Sequence, residues 1–256
     1  YIPNTGNGPF PVILAIHGGA FKMGDKASGE ITPMLEGLTR GYALVSINYR
    51  MSGEAKAPKL IQDVKAAIRW IRANAKQFKL NPDKIAAWGS SAGGHLSSLA
   101  GTSGGINELE DLSLGNPNQS SRVQAVVDWF GPINFLTMDD QFAMLGVKGM
   151  EHSTPNSPES EVIGKQIINA EAEVKAFSPA TYITKDDPPF LVEHGSKDPL
   201  IPYLQSTVFV NQLYEVLGKN KVSFVLLEGE GHGGPQFSSK KNLEIVFAFL
   251  DKNLKN

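Results

Sequence analysis

The chain has 256 residues, of which 41% are hydrophobic, and its 24 basic side chains nearly balance 26 acidic ones. This composition is typical of a globular protein with a large core, and no block of like charge indicates nucleic acid or an anionic membrane surface as a partner. The absence of cysteine excludes disulfides, thiolate metal sites and cysteine nucleophiles. The longest apolar runs, such as residues 12–16, are too short to span a bilayer.

Short apolar runs alternate with amphipathic stretches along the chain. Most of the runs are continuously apolar or β-branched, which is typical of strands covered on both faces. The predicted strands are residues 12–16, 43–49, 85–88, 123–129, 190–193 and 222–227. Residues 58–78 and 243–254 carry apolar side chains at helical spacing, and residues 81–83 (Asn-Pro-Asp) are predicted to end the first of these helices before the third strand. This alternation predicts an α/β fold with a mostly parallel sheet and helices on both faces.

Two segments do not follow the alternation. Residues 102–122 are rich in Gly, Ser, Asn and Glu and are predicted to form a long surface loop. Residues 133–184 form an insertion between two predicted strands, and loops of this length are typical of functional lids or of disorder. No internal repeat or linker indicates a second unit. We therefore predict one domain over residues 1–256, with a lid-like insertion at about residues 133–184.

The pentapeptide GSSAG, residues 89–93, matches the pattern G-x-S-x-G between a predicted strand and a predicted helix. In that strand–nucleophile–helix elbow the serine lies on a strained turn, so the residues two before and two after it must be small. Glycines occupy both positions when the pattern is centred on Ser91. Centred on Ser90, the pattern would place Trp88 in the crowded position. Ser91 is the predicted nucleophile, the alternative being a turn of small residues that packs a helix on a strand.

A serine nucleophile needs a base, and the chain has five histidines. His232 lies in the glycine-rich sequence LEGEGHGG directly after the last predicted strand. The ligand crevice of an open parallel sheet lies outside the carboxyl ends of its strands, so His232 is the predicted base. Packing or capping is expected for His95, surface exposure for His152, local hydrogen bonding for His194 and a loop-holding role for His17.

The base needs an orienting acid. Asp198, in the sequence HGSKDPLIP, follows the predicted strand of residues 190–193 and is the favoured candidate. The chain order Ser91, Asp198, His232 is the order expected for this type of fold. Asp128, which lies at the end of the preceding strand, is the alternative acid. Its structural role would be a salt bridge or a loop cap.

The sequence AIHGGAF, residues 15–21, follows the first predicted strand. Consecutive glycines allow successive backbone N–H groups to point at one oxygen without obstruction by a Cβ atom. The predicted oxyanion-hole donors are the N–H groups of Gly19, Ala20 and Ala92.

Three aromatic residues near these motifs are candidates for the substrate pocket: Phe21, Trp129 and Phe130. A role in the plain core is an equal alternative for each of them. The sequence contains no H-E-x-x-H or comparable metal motif. GEGHGG matches a dinucleotide-binding pattern, but only one helix follows it and the βαβ unit cannot be completed. We therefore predict neither a metal nor a cofactor.

Several longer motifs together resemble α/β-hydrolase carboxylesterases, most closely the bacterial feruloyl-esterase-like (BD-FAE-like) group, which is related to the hormone-sensitive-lipase-like esterases. They are HGGAF, APKLIQDVKAAIRWIRANA, NPDKIAAWGSSAGGHLSSLAGT, VQAVVDWFGP, SPATYIT, DDPPFLVEHGSKDPLIPY and GEGHGG. The resemblance implies an α/β-hydrolase fold, a triad of Ser91, Asp198 and His232, and no cofactor. It also implies cleavage of acetyl, feruloyl or other short acyl esters, often on plant cell-wall polysaccharides.

The chain departs from the family pattern in two places. Ala20 stands where the family usually has the third glycine of an HGGG loop, and it still supplies an N–H group. Relatives usually have two further strands before the first one predicted here, so this fold is expected to lack one or both of those strands.

The expected function is that of a serine carboxylic-ester hydrolase that acts through an acyl-enzyme on a small-molecule or polysaccharide-linked ester. Amide hydrolysis on the same triad, as in an arylformamidase or a small peptidase, is an alternative. A non-catalytic binding protein of the same fold is a further alternative, although such proteins typically lose a triad residue. The sequence predicts neither a compartment nor an oligomeric state.

Overall fold

The computed structural model describes residues 1–255, which contain a six-stranded sheet in which every neighbouring pair is parallel. Its strands are β1 (Phe10–Ile16), β2 (Ala43–Ile47), β3 (Leu80–Ser90), β4 (Ala125–Trp129), β5 (Phe190–Gly195) and β6 (Val222–Leu227). The strand order is β2-β1-β3-β4-β5-β6. The sheet confirms the predicted α/β class, and all six predicted strands overlap with observed ones.

Nine α-helices accompany the sheet within residues 1–255. They are α1 (Thr32–Leu35), α2 (Lys59–Ala73), α3 (Ala75–Phe78), α4 (Ala92–Thr102), α5 (Met138–Leu145), α6 (Pro158–Ile163), α7 (Glu171–Phe177), α8 (Leu204–Leu217) and α9 (Lys240–Leu254). None of the helices in this part of the chain is both long and apolar enough to cross a membrane.

The sheet separates two apolar cores because successive side chains of a strand point to opposite faces. Leu14 of β1 packs in one core with the apolar sides of α2, α4 and α8, whereas Ile13 and Ala15 pack in the other with α9. The helix face predicted within residues 58–78 is the buried side of α2. Helices therefore cover both faces of the sheet, as predicted.

The helical stretch ends before β3, as predicted, but the placement of residues 81–83 before the strand is wrong, because β3 already begins at Leu80. Phe10 pairs with Leu80, and Val12, only two residues further along β1, pairs with Ile85. The residues between Leu80 and Ile85 are accommodated by this shift in register. The Asn-Pro-Asp sequence therefore causes an irregularity within a strand.

Residues 102–122 are anchored more firmly than the predicted surface loop. Two short 3-10 turns form at Asn107–Leu109 and Leu112–Leu114. Between them, the Glu110 carboxylate pairs with Arg69 and lies 3.3 Å from Lys65 Nζ, and both of these α2 side chains are almost fully buried. A buried charge cluster therefore ties the segment to α2.

Residues 133–184 contain α5, α6 and α7 and pack on the molecule over much of their length. Phe135, Val162, Val174 and Phe177 are buried in the same core as α2 and α4. The segment therefore folds back onto the face of the sheet that α2 and α4 cover.

Candidate active site

The turn between β3 and α4 has the geometry of a strained elbow. Ser91 is the only residue between the two elements, and its φ of 55° lies in the left-handed region that non-glycine residues rarely adopt. A Cβ atom on Gly89 would lie 2.3 Å from the backbone of Gly93, and one on Gly93 would lie 2.0 Å from the carbonyl oxygen of Ile16. These distances explain why both flanking positions are glycine when the pattern is centred on Ser91.

The structure brings the three predicted triad side chains together. His232 Nε2 lies 2.9 Å from Ser91 Oγ, and His232 Nδ1 lies 2.6 Å from Asp198 Oδ2. The three residues follow β3, β5 and β6, respectively. Parallel strands present their carboxyl ends at one edge of the sheet, which is why residues so distant in sequence meet there.

The carboxylate of Asp198 is buried and held from several sides. Its Oδ1 accepts the backbone N–H groups of Leu200 at 2.8 Å and Ile201 at 2.9 Å, and His194 Nε2 lies 3.3 Å from Oδ2. Burial on its own would raise the pKa of Asp198, but hydrogen bonds from His194 and His232 outweigh it and the pKa lies below its ordinary value. An ionised carboxylate therefore faces His232 Nδ1.

The alternative acid, Asp128, points elsewhere. Its Oδ2 accepts the Ser98 hydroxyl at 2.6 Å, and its Oδ1 accepts the Gly131 N–H at 2.9 Å. Burial raises the pKa of Asp128. This placement matches the loop-cap role considered for Asp128 rather than contact with His232.

The loop after β1 has an unusual backbone. Gly19, Ala20 and Phe21 have φ angles of 102°, 55° and 60°, so three successive residues lie in the left-handed region. The loop contacts the elbow, since a Cβ atom on Gly18 would lie 3.3 Å from Ser91 Cβ. Ala92 is the first residue of α4, where backbone N–H groups have no partner within the helix. The loop after β1 and the first turn of α4 therefore both lie beside Ser91.

Glu30 is a site residue that the sequence did not indicate. Its Oε2 accepts the Gly18 N–H at 2.7 Å and the Ser90 hydroxyl at 2.9 Å. Glu30 therefore connects the loop after β1 to the elbow, and Ser90 is part of that connection. No sequence motif contains Glu30, and it lies 60 positions from Ser90 in a short helical turn, so its contact with Ser90 could not be predicted.

The predicted substrate residues occupy different environments. The Phe130 ring lies 4.6 Å from the His232 ring, and Trp129 packs on Trp88 at 5.0 Å. Both border a cavity of about 200 Å³, together with Gly29, Glu30, Pro33, Ser90, Gly233, Gly234, Phe237 and Ser238. Phe21 does not border this cavity; its ring is buried against His95 at 5.4 Å.

The remaining histidines have structural contacts. His17 stacks on Tyr49 at 4.6 Å, and its Nδ1 lies 2.8 Å from the Gly18 carbonyl oxygen. His95 packs among aromatic rings, and burial lowers its pKa to about 4. His194 Nδ1 lies 2.7 Å from Ser206 Oγ. These contacts match the packing, loop-holding and local roles expected for the three residues.

The predicted surface exposure of His152 is wrong, since only 1% of the residue is exposed. His152 is enclosed because the insertion folds back on the loop that carries Asp198, where His152 Nε2 lies 2.9 Å from the Leu200 carbonyl oxygen. Across residues 1–255, no group of three or more His, Asp or Glu side chains is placed to hold a metal ion.

Comparison with known proteins identifies the family. The BD-FAE family model matches residues 1–213. The probable carboxylic ester hydrolase LipM of Mycobacterium tuberculosis is 36% identical over 210 residues, which are 82% of this chain and 46% of that protein. The chain spans about half the length of the curated relatives it matches.

Two solved structures are similar to this chain in both fold and sequence. A bifunctional GH43-CE protein of Bacteroides eggerthii is 36% identical, with a TM-score of 0.88 over 99% of this chain and 35% of its own. A truncated carbohydrate esterase from gut microbiota is 34% identical, with a TM-score of 0.88 over 100% of this chain and 90% of its own. These likenesses confirm the predicted resemblance, and the chain belongs to the BD-FAE family.

Proposed function

We propose that this chain is a serine carboxylic-ester hydrolase in which Ser91 is the nucleophile, His232 the base and Asp198 the orienting acid. The observation that carries the proposal is the continuous contact from Ser91 Oγ to His232 and on to Asp198, at 2.9 and 2.6 Å. The names of the relatives as ester hydrolases and carbohydrate esterases support the same reaction class.

The reaction begins when Ser91 Oγ attacks the ester carbonyl carbon and His232 Nε2 takes the hydroxyl proton. The negative charge that develops on the carbonyl oxygen is stabilised by the N–H groups of Gly19, Ala20 and Ala92. Loss of one such donor typically costs about 3 kcal/mol of transition-state stabilisation. Asp198 holds the imidazole in orientation and stabilises its positive charge.

The tetrahedral intermediate then collapses. The ester C–O bond breaks, and His232 returns its proton to the departing alcohol, which leaves an acyl group on Ser91. In the second half, His232 takes a proton from water as the water oxygen attacks the acyl carbon. The bond between Ser91 Oγ and the acyl carbon then breaks, and His232 returns its proton to Oγ, which releases the acid and restores the Ser91 hydroxyl.

A cavity between Ser90 and the loop of His232 supports the substrate class that the family resemblance implies. The cavity of about 200 Å³ has aromatic walls, including Trp129 and Phe130, and lies next to Gly233 in the loop of His232. A short acyl group or a single aromatic ring fits a space of that size and lining. We infer that the substrates are acetyl, feruloyl or other short acyl esters on a small molecule or a polysaccharide. Phe21 supports the loop of residues 18–21 after β1 (the oxyanion loop) from the core.

We also propose that residues 1–256 act as one domain in which the insertion, residues 133–184, borders the substrate site as a lid. Glu161 Oε2 of α6 lies 2.7 Å from Lys22 Nζ, beside the oxyanion loop. On the other side, the Met150 N–H donates to the Pro199 carbonyl oxygen at 3.0 Å, beside Asp198. The insertion therefore contacts both loops that the reaction uses.

The test is pre-steady-state hydrolysis of p-nitrophenyl acetate, with detection of the acyl adduct by mass spectrometry. We expect a burst and a mass increase of one acetyl group, both lost in Ser91→Ala. Ser90→Ala is the matched control and should still be acylated, because the Ser90 hydroxyl faces Glu30 rather than His232. Undiminished turnover in Ser91→Ala without an adduct would contradict the proposal.

A substrate panel then separates the ester classes. It contains p-nitrophenyl acetate and butyrate, methyl ferulate, acetylated xylan and an aryl formamide. We expect turnover of the acetyl or feruloyl esters to exceed that of the formamide, and the reverse order would indicate an amide hydrolase.

A further inference from the structure

His152 lies in the insertion with both ring nitrogens facing an acceptor. Nδ1 lies 3.0 Å from Glu159 Oε2, an ion-pair contact that is not aligned as a hydrogen bond, and Nε2 lies within hydrogen-bond distance of the Leu200 carbonyl oxygen at 2.9 Å. A carbonyl oxygen and an ionised carboxylate cannot donate a proton, so with Glu159 ionised both contacts are favourable only when both ring nitrogens carry one. With Glu159 ionised, this arrangement favours the imidazolium form of His152.

The surroundings of His152 favour the positive charge. Glu159 on α6 is 3% exposed, and Asp139 on α5 accepts the backbone N–H of His152 at 2.7 Å. Asp198 is the third acidic group on this side, although its own carboxylate faces His194 and His232. Burial alone would lower the pKa of His152, but the carboxylates of Glu159 and Asp139 outweigh it and the pKa is raised.

The peptide that accepts this proton also holds Asp198. The Leu200 carbonyl and the Ile201 N–H belong to one peptide group, and that N–H donates to Asp198 Oδ1 at 2.9 Å. A donor on the carbonyl polarises the peptide and strengthens the bond that its N–H makes. The contacts therefore run without interruption from His152 through one peptide to Asp198, and on to His232 and Ser91.

We propose that protonated His152 is a positioning residue for the reaction, which holds the Leu200–Ile201 peptide and through it the carboxylate of Asp198. This inference rests on the proposed function of Ser91, His232 and Asp198. It gives the insertion a role in orienting the triad besides bordering the substrate.

Deprotonation of His152 should weaken the arrangement in a defined way. The contact of Nδ1–H with the Glu159 carboxylate is ionic and favours a proton on Nδ1 more than the neutral carbonyl favours one on Nε2, so the proton leaves Nε2. The Nε2 lone pair then faces the Leu200 oxygen, and the two repel each other. The value of kcat/KM should therefore fall as the pH rises through the pKa of His152.

Glu159→Gln tests this because the substitution changes which proton the ring keeps. The amide can donate to Nδ1, so a neutral ring retains Nε2–H and its bond to Leu200 at every pH. We expect the alkaline decline of kcat/KM to disappear. His152→Phe keeps an aromatic ring beside Phe142 but removes the donor, and we expect about a tenfold lower kcat/KM without a pH-dependent decline.

The experiment measures kcat/KM for p-nitrophenyl acetate from acidic to alkaline pH in the wild-type chain and both variants. Glu173→Gln, which removes an exposed ion pair with Lys165 in the same insertion, is the control and should keep the wild-type profile. Imidazole ¹⁵N spectra report protonation directly, with the His152 signals assigned by their loss in His152→Phe. We expect a cation at neutral pH in the wild-type chain and a neutral ring in Glu159→Gln.

The outcomes separate this inference from the proposed function. Ser91-dependent hydrolysis with the same alkaline profile in the wild-type chain and Glu159→Gln would overturn the role of His152 alone, as would a neutral wild-type ring at neutral pH. Absence of Ser91-dependent hydrolysis would overturn the proposed function as well. The pH dependence of kcat/KM in the wild-type chain and in Glu159→Gln tests the role of His152 even if His152→Phe does not fold.

Discussion

Asp198 follows β5 and Asp128 lies in the neighbouring strand β4, yet the two carboxylates have different surroundings and different contacts. Hydrogen bonds from its histidine partners lower the pKa of Asp198, and its carboxylate contacts His232 Nδ1. Burial raises the pKa of Asp128, and its carboxylate caps a loop through contacts with Ser98 and Gly131. Hydrogen-bond partners, rather than position in the sheet, decide which carboxylate can orient the base.

We predict that Asp198→Asn lowers kcat for p-nitrophenyl acetate by about 10³–10⁴-fold, because the amide favours the wrong tautomer of His232. Steady-state kinetics with the purified variant provide the measurement. Asp128→Asn is the control and should keep kcat within about threefold while it lowers the free energy of unfolding. Near-normal turnover in Asp198→Asn together with a large loss in Asp128→Asn would exchange the two assignments.

At this scale, the sequence predicts residues that belong to a local pattern and misses those that depend on distant partners. Ser91, Asp198 and His232 each follow a strand in a recognisable motif, so their meeting could be expected from the parallel sheet alone. Glu30 and His152 carry no such motif. Their partners Ser90 and Leu200 lie 60 and 48 positions away, and the pairing depends on how whole segments fold back.

Among the elements, helix α2 contacts the segment of residues 102–122 through buried ion pairs as well as through apolar packing. Lys65 and Arg69 lie on the buried side of α2, where they meet Glu110, and Lys65 Nζ also donates to the Ser103 carbonyl oxygen at 2.7 Å. Two buried cations thus share one carboxylate. The sequence places both basic residues on the predicted helix, but their burial depends on a loop partner that periodicity cannot indicate.

We predict that Glu110→Gln lowers the free energy of unfolding by about 3–5 kcal/mol, because it leaves buried positive charge without its counter-charge. Urea denaturation followed by circular dichroism measures the change. Glu173→Gln, which breaks an exposed pair with Lys165, should cost less than about 1 kcal/mol. Equal costs in the two variants would show that the buried pair contributes no more than an exposed one.

Element boundaries were harder to predict than the elements themselves. The apolar face of residues 58–78 identifies the helix α2, but not the separation of α3, which begins at Ala75. Similarly, Asn81-Pro82-Asp83 is a typical turn sequence, yet the pairing of Leu80 with Phe10 already places that stretch inside β3. Local turn preference is overridden where the neighbouring strand supplies hydrogen bonds on either side of an irregularity.

For the whole molecule, the alternation of apolar runs predicts the parallel sheet, and the sheet explains why distant loops meet. What the alternation does not predict is the docking of residues 133–184 onto that sheet. The insertion reaches the oxyanion loop through Glu161 and the loop of Asp198 through His152. Of the residues in these contacts, Lys22, His152 and Leu200 lie on irregular segments, where neither a helical nor a strand period applies.

Stability of the whole molecule should also depend on a buried carboxyl group on strand β5. Glu193 of β5 is fully buried, and its Oε2 accepts the amide of Asn242 on α9 at 2.7 Å. Burial raises the pKa of Glu193 from an ordinary 4.5 to about 7, although donors on Asn242 and Trp129 partly oppose the rise. Between these values the folded chain retains a proton that the unfolded chain has lost, so rising pH destabilises the fold.

We predict that Glu193→Gln, whose amide cannot ionise, gains about 3 kcal/mol of stability relative to the wild-type chain between mildly acidic and mildly alkaline pH. The measurement is urea unfolding of both proteins over this range, read as the difference between them. The difference is needed because His95, whose pKa falls from 6.5 to about 4 on burial, acts over an overlapping range with the opposite sign. His95 is the same in both proteins and cancels, so a difference that stays constant with pH would mean that Glu193 does not change protonation on unfolding.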